Sequence, residues 1–358
     1  MRTILERLPR SRVKVCPMKR TLFMMVLLTS CSTGVTTATA TPPNGPLPEA
    51  TSPAAPEPLF ASAPARSSLG GCTLFPKNNI WNTPVTKLPV HKNSSAYVSS
   101  IGAARGLHAD FGSGLYEGQP IGIPFVVVPS SQPGVKVTFG YDDESDHAAY
   151  PIPKNAPIEG GSSADGDRHI LVVRSGECKL YEVGNTYPNP DGSWTVGAGA
   201  IWSLNSNALR PRDWTSADAA GLPILPGLIR HDELASGIIR HALRFTAQRT
   251  QKAFVWPARH QASSVLDVNV PPMGMRFRLK ASFVTSSYPR DARVILEALK
   301  TYGMMLADNG SNWFLSGTQD DAWNNDILSS LSKVKGSDFE AVDTSSLWVG
   351  ADSGEAAR

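Results

Sequence analysis

Two short motifs pair a histidine with an aspartate two residues away, a spacing that suits metal binding. They are His108-Ala109-Asp110 and Asp167-Arg168-His169. On a β-strand each motif would place both side chains on one face, because alternate residues of a strand point the same way. If the two pairs faced each other, their four side chains would form a mixed nitrogen and oxygen site for zinc, manganese or another divalent ion. Such a metal is the only cofactor that the sequence suggests.

Three carboxyl groups are candidates for acid–base chemistry. A glycosidase needs two such groups about 5–10 Å apart, one of them kept protonated by burial. Asp232 and Glu233 follow an apolar turn, and Asp308 lies in a turn that precedes Trp313. Either of the adjacent acids, together with Asp308, would supply the pair for hydrolysis.

Two histidines are further candidates. His241 lies on a predicted strand over residues 240–247, where Leu243 and Phe245 share its face and Arg244 lies on the other. It either forms hydrogen bonds within the core or points into a cleft. His260 follows a Trp-Pro turn and belongs to a loop, where catalytic groups are over-represented.

Elimination is a second chemistry that the same residues permit. A polysaccharide lyase needs a base and a group that neutralises a uronate. His241 or His260 would supply the base, and Arg259 or Asn309 would supply the neutralising group. The residue types therefore leave hydrolysis and elimination open.

The tryptophans suggest binding of sugar rings. All eight follow residue 70, and several stand beside Asn, Asp or Arg. A flat indole beside amide or carboxylate groups suits a sugar ring, although indole is also a large core side chain. The predicted substrate-binding residues are Trp81, Trp214, Trp256, Arg259, Asn309, Asn312 and Trp313.

Several other chemistries lack a motif. No Gly-x-Ser-x-Gly sequence is present, and no glycine-rich phosphate loop follows a strand and opens a helix. The formal charge of the chain is +3, but residues 1–20 contribute +6, so the remainder is near −3. We therefore expect neither nucleotide nor nucleic acid as a partner.

The first 31 residues are typical of an export signal read by the lipoprotein machinery. The basic pair Lys19-Arg20 precedes a short apolar run, and small residues then lead to Cys31. We predict that translation starts at Met18 and that Cys31 carries a lipid. The alternatives are an ordinary cleaved signal and a short anchor helix. Residues 32–70, rich in Pro, Ala, Thr and Ser, are predicted to be a disordered tether.

This reading places the protein outside the cytoplasm, anchored by lipid to the outer membrane or the cell surface. An exported protein with two remaining cysteines usually pairs them, so we predict a disulfide between Cys72 and Cys178. The alternative is two buried thiols.

The expected fold is mainly β: a jelly-roll-like antiparallel β-sandwich with a few short helices. Apolar or alternating runs bounded by Gly and Pro recur, as in Ile121–Val128 and Lys179–Val183. Helical spacing predicts a helix over residues 291–302 and shorter ones near 216–220 and 324–334. One domain is expected over residues 71–350, followed by a frayed tail at 351–358.

Three motifs resemble a family of uncharacterised exported microbial proteins, including hypothetical lipoproteins. They are Ala-Asp-Asn-Gly-Ser-Asn-Trp at 307–313, Trp-Pro-Ala-Arg-His at 256–260 and Trp-Thr-Ser-Ala-Asp-Ala-Ala-Gly-Leu-Pro at 214–223. The resemblance covers the domain from Cys72 onward. It implies export and a single domain, and it lends no catalytic residues.

The sequence thus predicts an exported, membrane-tethered carbohydrate-active protein. Its partner would be a polysaccharide or oligosaccharide of the cell wall or the surroundings, cleaved at glycosidic bonds. The alternative is a surface lipoprotein that binds carbohydrate without cleaving it.

Overall fold

The computed structural model describes residues 69–357, which belong to one compact unit. The predicted export signal over residues 1–31, the predicted lipidation site Cys31 and the predicted tether up to residue 68 lie outside the described residues. Within the described part of the chain, no helix is long and apolar enough to cross a membrane.

The described elements are mostly short strands. The helices are α1 (Ser94–Ile101), α2 (His231–Ser236), α3 (Arg290–Thr301) and α4 (Asn325–Ser329). The strands are β1 (His108–Asp110), β2 (Leu115–Tyr116), β3 (Gln119–Pro120), β4 (Phe125–Val128), β5 (Val137–Phe139), β6 (Ile170–Arg174), β7 (Lys179–Val183), β8 (Tyr187–Pro188), β9 (Trp194–Val196), β10 (Gly199–Ser203), β11 (Leu243–Ala247), β12 (Arg276–Leu279), β13 (Met304–Asn309), β14 (Phe314–Ser316) and β15 (Phe339–Ala341).

The predicted mainly β class with few short helices is confirmed. Its main sheet has six strands in the order β1-β14-β11-β13-β12-β15. The pairing in this sheet is mixed: β1–β14 and β11–β13 are parallel, and the other pairs are antiparallel. Parallel neighbours need a long crossover connection, and the chain supplies one between β11 and β13 that contains α3.

A four-stranded sheet, β10-β7-β6-β4, is buried on both faces at β6. Leu171 and Val173 belong to the larger hydrophobic core. Ile170 and Val172 belong to a second core with residues of the three-stranded sheet β5-β9-β8. This double burial explains why β6 reads as a continuous apolar run rather than an alternating one.

Helix α3 closely follows its predicted bounds. The prediction was 291–302, and the structure has Arg290–Thr301. Its apolar positions Val294, Ile295 and Leu299 are buried, as an amphipathic helix on a core requires. The short helix expected near residues 324–334 is also present as α4 and a following 3-10 turn.

The expectation of a frayed tail is wrong for residues 351–357. Ala356 is buried, and Glu355 forms a β-bridge with Asn79 near the start of the domain. Asp352 accepts a hydrogen bond from Arg259. The domain also begins two residues earlier than expected, because Leu69 is buried and forms a bridge with Cys72.

The predicted disulfide between Cys72 and Cys178 is confirmed. It joins the start of the domain to the turn before β7, across 106 residues of chain. A cross-link of this span restricts the unfolded chain strongly.

Replacing both cysteines, Cys72→Ala with Cys178→Ala, is expected to lower the free energy of unfolding by about 5 kcal/mol, because the loop-closure entropy returns to the unfolded chain. Guanidinium denaturation of the variant and the parent protein measures the difference. The parent protein treated with a reducing agent serves as the control and should match the variant. Equal unfolding midpoints for oxidised and reduced protein would contradict the expectation.

Candidate active site

The site is built on β11, which lies inside the main sheet between β14 and β13. Its register with β13 shifts between Phe245 and Thr246, so that Thr246 pairs with Asp308. A bulge of this kind re-aims the side chains that follow it. Asp308 stands next to the end of β13, where its side chain is 21% exposed.

Arg244 on β11 is the buried cation of the site. Its Nε and Nη2 donate to the two carboxylate oxygens of Asp218, each at 2.8 Å. Its Nη1 donates to Ser316 Oγ at 2.5 Å, and Nη2 lies 3.5 Å from Asp308 Oδ2. Burial alone would lower the pKa of Arg244, but Asp218 and Asp308 hold it above its ordinary value. The guanidinium is therefore charged and shared between two carboxyl groups.

Asp218 is positioned by a loop rather than by the helix expected near residues 216–220. Ser216 Oγ accepts from the backbone N–H of Asp218 at 2.9 Å and donates to the carbonyl of Leu222 at 2.7 Å. A serine that bonds to nearby backbone in this way competes with helix formation. The loop places the Asp218 side chain in full burial against Arg244.

Asp308 has the strongest functional signature in the site. Partial burial and the neighbouring carboxylate of Asp218 raise its pKa to about 7. Arg244 opposes this shift only through one 3.5 Å contact, since its shorter bonds go to Asp218 and Ser316. Asp308 can therefore hold a proton near neutral pH, as a general acid must.

His169 and Glu159 form a second charged pair. His169 Nδ1 lies 2.5 Å from Glu159 Oε2, and Nε2 lies 2.9 Å from the carbonyl oxygen of Ala217. Both partners are acceptors, so both ring nitrogens must donate and the ring is an imidazolium. Burial alone would lower the pKa of His169, but Glu159 raises it to about 9.

His169, Asp218 and Asp308 line a cleft of about 330 Å³. Asp167, on the exposed segment before β6, faces the same cleft as Asp308. His260 also lines it, and its Nδ1 donates to the carbonyl of Ala219 at 2.8 Å. The polar lining residues are Tyr141, Glu144, Asp167, His169, Asn185, Thr215, Ser216, Asp218, His260 and Asp308.

Of the predicted acid–base residues, the structure thus brings together His260 and Asp308. Glu233 and His241 form a different buried cluster at α2, where His241 Nε2 lies 3.1 Å from Glu233 Oε2. Arg230 pairs with Glu233 at 3.0 Å and with the exposed Asp232 at 3.1 Å. None of these acids lines the cleft. The pairing of Asp232 or Glu233 with Asp308 is therefore wrong.

Two of the predicted sugar-binding tryptophans are core residues. Trp313 is fully buried, donates from Nε1 to the carbonyl of Gly102 and stacks on Phe245. Trp81 is 2% exposed. Neither can bind a sugar ring, because their faces are covered by protein.

The other predicted binding residues have structural partners. Arg259 is buried and pairs with Asp352. Asn309 accepts from Thr250, and Asn312 accepts from the backbone of Gln248.

Trp214 and Trp256 are partly buried and do not line the cleft. An arginine, Arg210, lies over the Trp214 ring at 5.5 Å.

The predicted metal site is not formed. Within residues 69–357, no group of three or more His, Cys, Asp or Glu side chains could hold a metal ion. Both nitrogens of His169 are occupied, and the ring of His108 lies against Phe314. The strand geometry expected for the second motif also fails, because Arg168 has φ of 52° and β6 begins only at Ile170.

Three important residues were not singled out from the sequence. From the sequence, Arg244 was placed on a strand face and assigned no role. Asp218 lies within the motif at 214–223 and was given no role of its own, and no sequence pattern pointed to Glu159. Asp218 and Arg244 are 26 residues apart, and Ser316 is 72 residues from Arg244. No local pattern reports contacts over such separations.

Comparisons of the chain with protein-family models, with curated proteins and with solved structures found no match. The chemistry of the cleft therefore has to follow from its geometry.

We expect stability to fall as pH rises from 7 to 9. The folded pKa of His169, about 9, exceeds the ordinary value of 6.5. The folded state therefore binds more protons in this window, and its advantage of about 2 kcal/mol disappears as the imidazolium is lost. Urea denaturation at pH 7, 8 and 9 measures this loss.

Glu159→Gln is the matched variant for this prediction, because it removes the charge that raises the pKa of His169. Its stability should depend much less on pH between 7 and 9. Parallel pH dependence in the parent protein and the variant would contradict the assigned ion pair.

Proposed function

We propose that the cleft around Asp308 hydrolyses glycosidic bonds of an extracellular or cell-wall glycan. One observation carries the proposal: a carboxyl group with a pKa of about 7 faces the same cleft as a second, exposed carboxyl group, Asp167. Two carboxyl groups with different environments are what glycoside hydrolysis requires.

In the proposed reaction Asp308 donates its proton to the glycosidic oxygen as the bond from that oxygen to the anomeric carbon breaks. Asp167 either takes a proton from the attacking water or attacks the anomeric carbon first and is then released by water. In both routes the hydroxyl of water ends on the anomeric carbon. In the first route the other proton of water is left on Asp167 and returns to Asp308 through exchange with solvent. In the second route Asp308 takes that proton directly from the attacking water. Arg244 and Asp218 are positioning residues: Arg244 contacts the carboxyl group of Asp308, and the charge of Asp218 helps to keep that group protonated.

Hydrolysis fits the cleft better than elimination. Elimination needs a cation that is free to neutralise a uronate. The two cations of this cluster are already bonded, Arg244 to Asp218 and Ser316, and His169 to Glu159 and Ala217. Arg259 and Asn309, the predicted neutralising groups, have partners elsewhere.

The same charges point to the class of glycan. Glu144 and Asp167 line the cleft with Asp308, whereas Asp218 is paired with Arg244 and the lining cation His169 is paired with Glu159. An anionic polymer would meet like charge there. We propose a neutral glycan or one that carries amino groups.

The second candidate, a protein that binds glycan without cleaving it, is favoured by a separate apolar groove of about 360 Å³. Trp256 and Trp348 both line this groove, and Trp348 is 53% exposed. The Trp256 ring is held by a bond from its Nε1 to the carbonyl of Ser353 at 2.7 Å. Two indoles at one groove suit the stacking of a sugar ring, which requires no proton transfer.

The cellular setting of the proposal remains that of the sequence prediction. We propose an exported protein held at the cell envelope by lipid on Cys31, with the glycan and the membrane as its partners.

Asp308→Asn is expected to lower kcat by at least about 100-fold, because an amide cannot donate the proton. The assay is release of reducing ends from cellulose, xylan, starch, laminarin and chitosan. Polygalacturonate and alginate, scored by the ultraviolet absorbance of unsaturated products, represent anionic glycans. The matched control is Asp232→Asn, an exposed carboxyl group outside the cleft, which should keep full activity.

Activity of Asp308→Asn equal to that of the parent protein would exclude the acid role. Unsaturated products from the anionic glycans would show that the reaction is elimination and not hydrolysis. Inactivity of the parent protein on every glycan, with retention on a glycan column, would favour the binding protein.

The pH profile gives an independent test. Since Asp308 must be protonated and its pKa is about 7, kcat/KM should fall about tenfold per pH unit above pH 7. Asp218→Asn should move this limb to lower pH, because it removes a neighbouring negative charge. A limb that stays in place in this variant, or that lies near pH 4 in the parent protein, would contradict the assignment.

A further inference from the structure

A second and larger groove, of about 530 Å³, lies along the β1 edge of the main sheet. Its lining includes His108 and Asp110 of β1, Phe314 of β14 and Tyr116 of the β2–β3 hairpin. The rings of His108 and Phe314 lie 4.1 Å apart and are tilted by 30°. The groove therefore combines aromatic faces with polar groups that can bond to hydroxyls.

The hairpin that carries Tyr116 is held in a defined orientation. Its two-residue turn, Glu117-Gly118, has positive φ at both positions (51° and 82°), as in the turns that suit tight hairpins. Asn325 on α4 fixes the base of the hairpin, since its side chain accepts from the N–H of Ser113 and donates to the Ser113 carbonyl, each at 3.0 Å. Tyr116 is nonetheless 70% exposed.

Tyr116 is exposed in a place where it lines a groove, while its neighbour Leu115 is equally exposed but does not line it. Successive residues of a strand point to opposite faces, which explains the difference.

Contacts through the main sheet link the groove to the candidate active site, although the two share no lining residue. Asp110 of the groove pairs with Ser316 across β1 and β14. Ser316 Oγ accepts from Arg244, which binds Asp218 and Asp308 of the cleft. The carboxyl group of Asp110 also interacts electrostatically with Asp167.

We infer that this groove binds sugar units of the same glycan chain at a distance from the bond that is cleaved. The inference rests on the proposed function. Pyranose rings present apolar C–H faces and a rim of hydroxyls, which match the rings of Tyr116 and Phe314 and the polar groups of His108 and Asp110. The substrate is then a chain that occupies both the cleft and the groove and is cut within its length.

The test measures binding separately from cleavage. The full chain and its variants migrate through native gels that contain soluble forms of the neutral glycans above or chitosan, and apparent Kd is read from the retardation. We expect at least one polymer to retard the parent protein. Tyr116→Ala should raise the apparent Kd about tenfold, the loss of roughly one aromatic contact.

Leu115→Ala is the matched control on the same hairpin and should bind as the parent protein does. Both side chains are exposed, so both variants should keep the parent melting temperature. Equal retardation of Tyr116→Ala and the parent protein overturns the inference. An equal loss of glycan binding in Tyr116→Ala and Leu115→Ala also overturns the inference. So does the absence of retardation of the parent protein by any polymer.

Asp308→Asn separates this inference from the proposed function. Retained binding with lost cleavage supports both. Retained cleavage by Asp308→Asn, together with weakened binding by Tyr116→Ala, supports the groove and removes only the acid role. A second readout is chain length, since Tyr116→Ala should raise KM more for long polymers than for short oligosaccharides.

Discussion

The burial of Arg244 is the constraint on which the site depends. A guanidinium that is 5% exposed has to be paired, and removing a partner from such a pair costs about 3–5 kcal/mol. Asp218 supplies two bonds and Ser316 a third, so a loop, β11 and β14 are fixed to one another. Asp308 has only the longer contact with the guanidinium, at 3.5 Å. Because Arg244 lies closer to Asp218 than to Asp308, it stabilises the ionised form of Asp308 less, and the Asp308 carboxyl group can hold a proton.

The buried cluster of Arg230, Glu233 and His241 resembles the cluster around Arg244 in composition. Every member of it bonds to another member, although Arg230 Nη1 is buried without a partner among the described residues. Burial alone would raise the pKa of Glu233, but His241 and Arg230 hold it below its ordinary value. The cluster around Arg244 instead opens onto a cleft, where Asp308 has a raised pKa. Access to a cleft and a raised carboxyl pKa distinguish this candidate site from a structural ion pair.

The strand order also determines where a ligand can lie. Because β14 separates β11 from the edge strand β1, the cleft and the groove at β1 occupy neighbouring positions on the same sheet. Asp110 is the register partner of Ser316 on β14, and the hydrogen bond from Arg244 to Ser316 links that strand to the cleft. A glycan chain that lies across these strands would meet carboxyl groups at one end and aromatic rings at the other.

The sequence by itself determined the properties that depend on local pattern. Helical spacing located α3, apolar runs located β6 and β7, and compartment with cysteine count identified the disulfide. The tertiary structure decided which faces are covered: Trp313 is enclosed by other rings, and Arg244 is buried because β11 has neighbours on both sides. It also decided which acids meet, since Asp218 and Asp308 are brought to Arg244 from distant parts of the chain. The hydrophobic periodicity of a segment shows which residues share a face of one helix or strand. The burial and the pKa of those residues depend on the other elements that pack against that face.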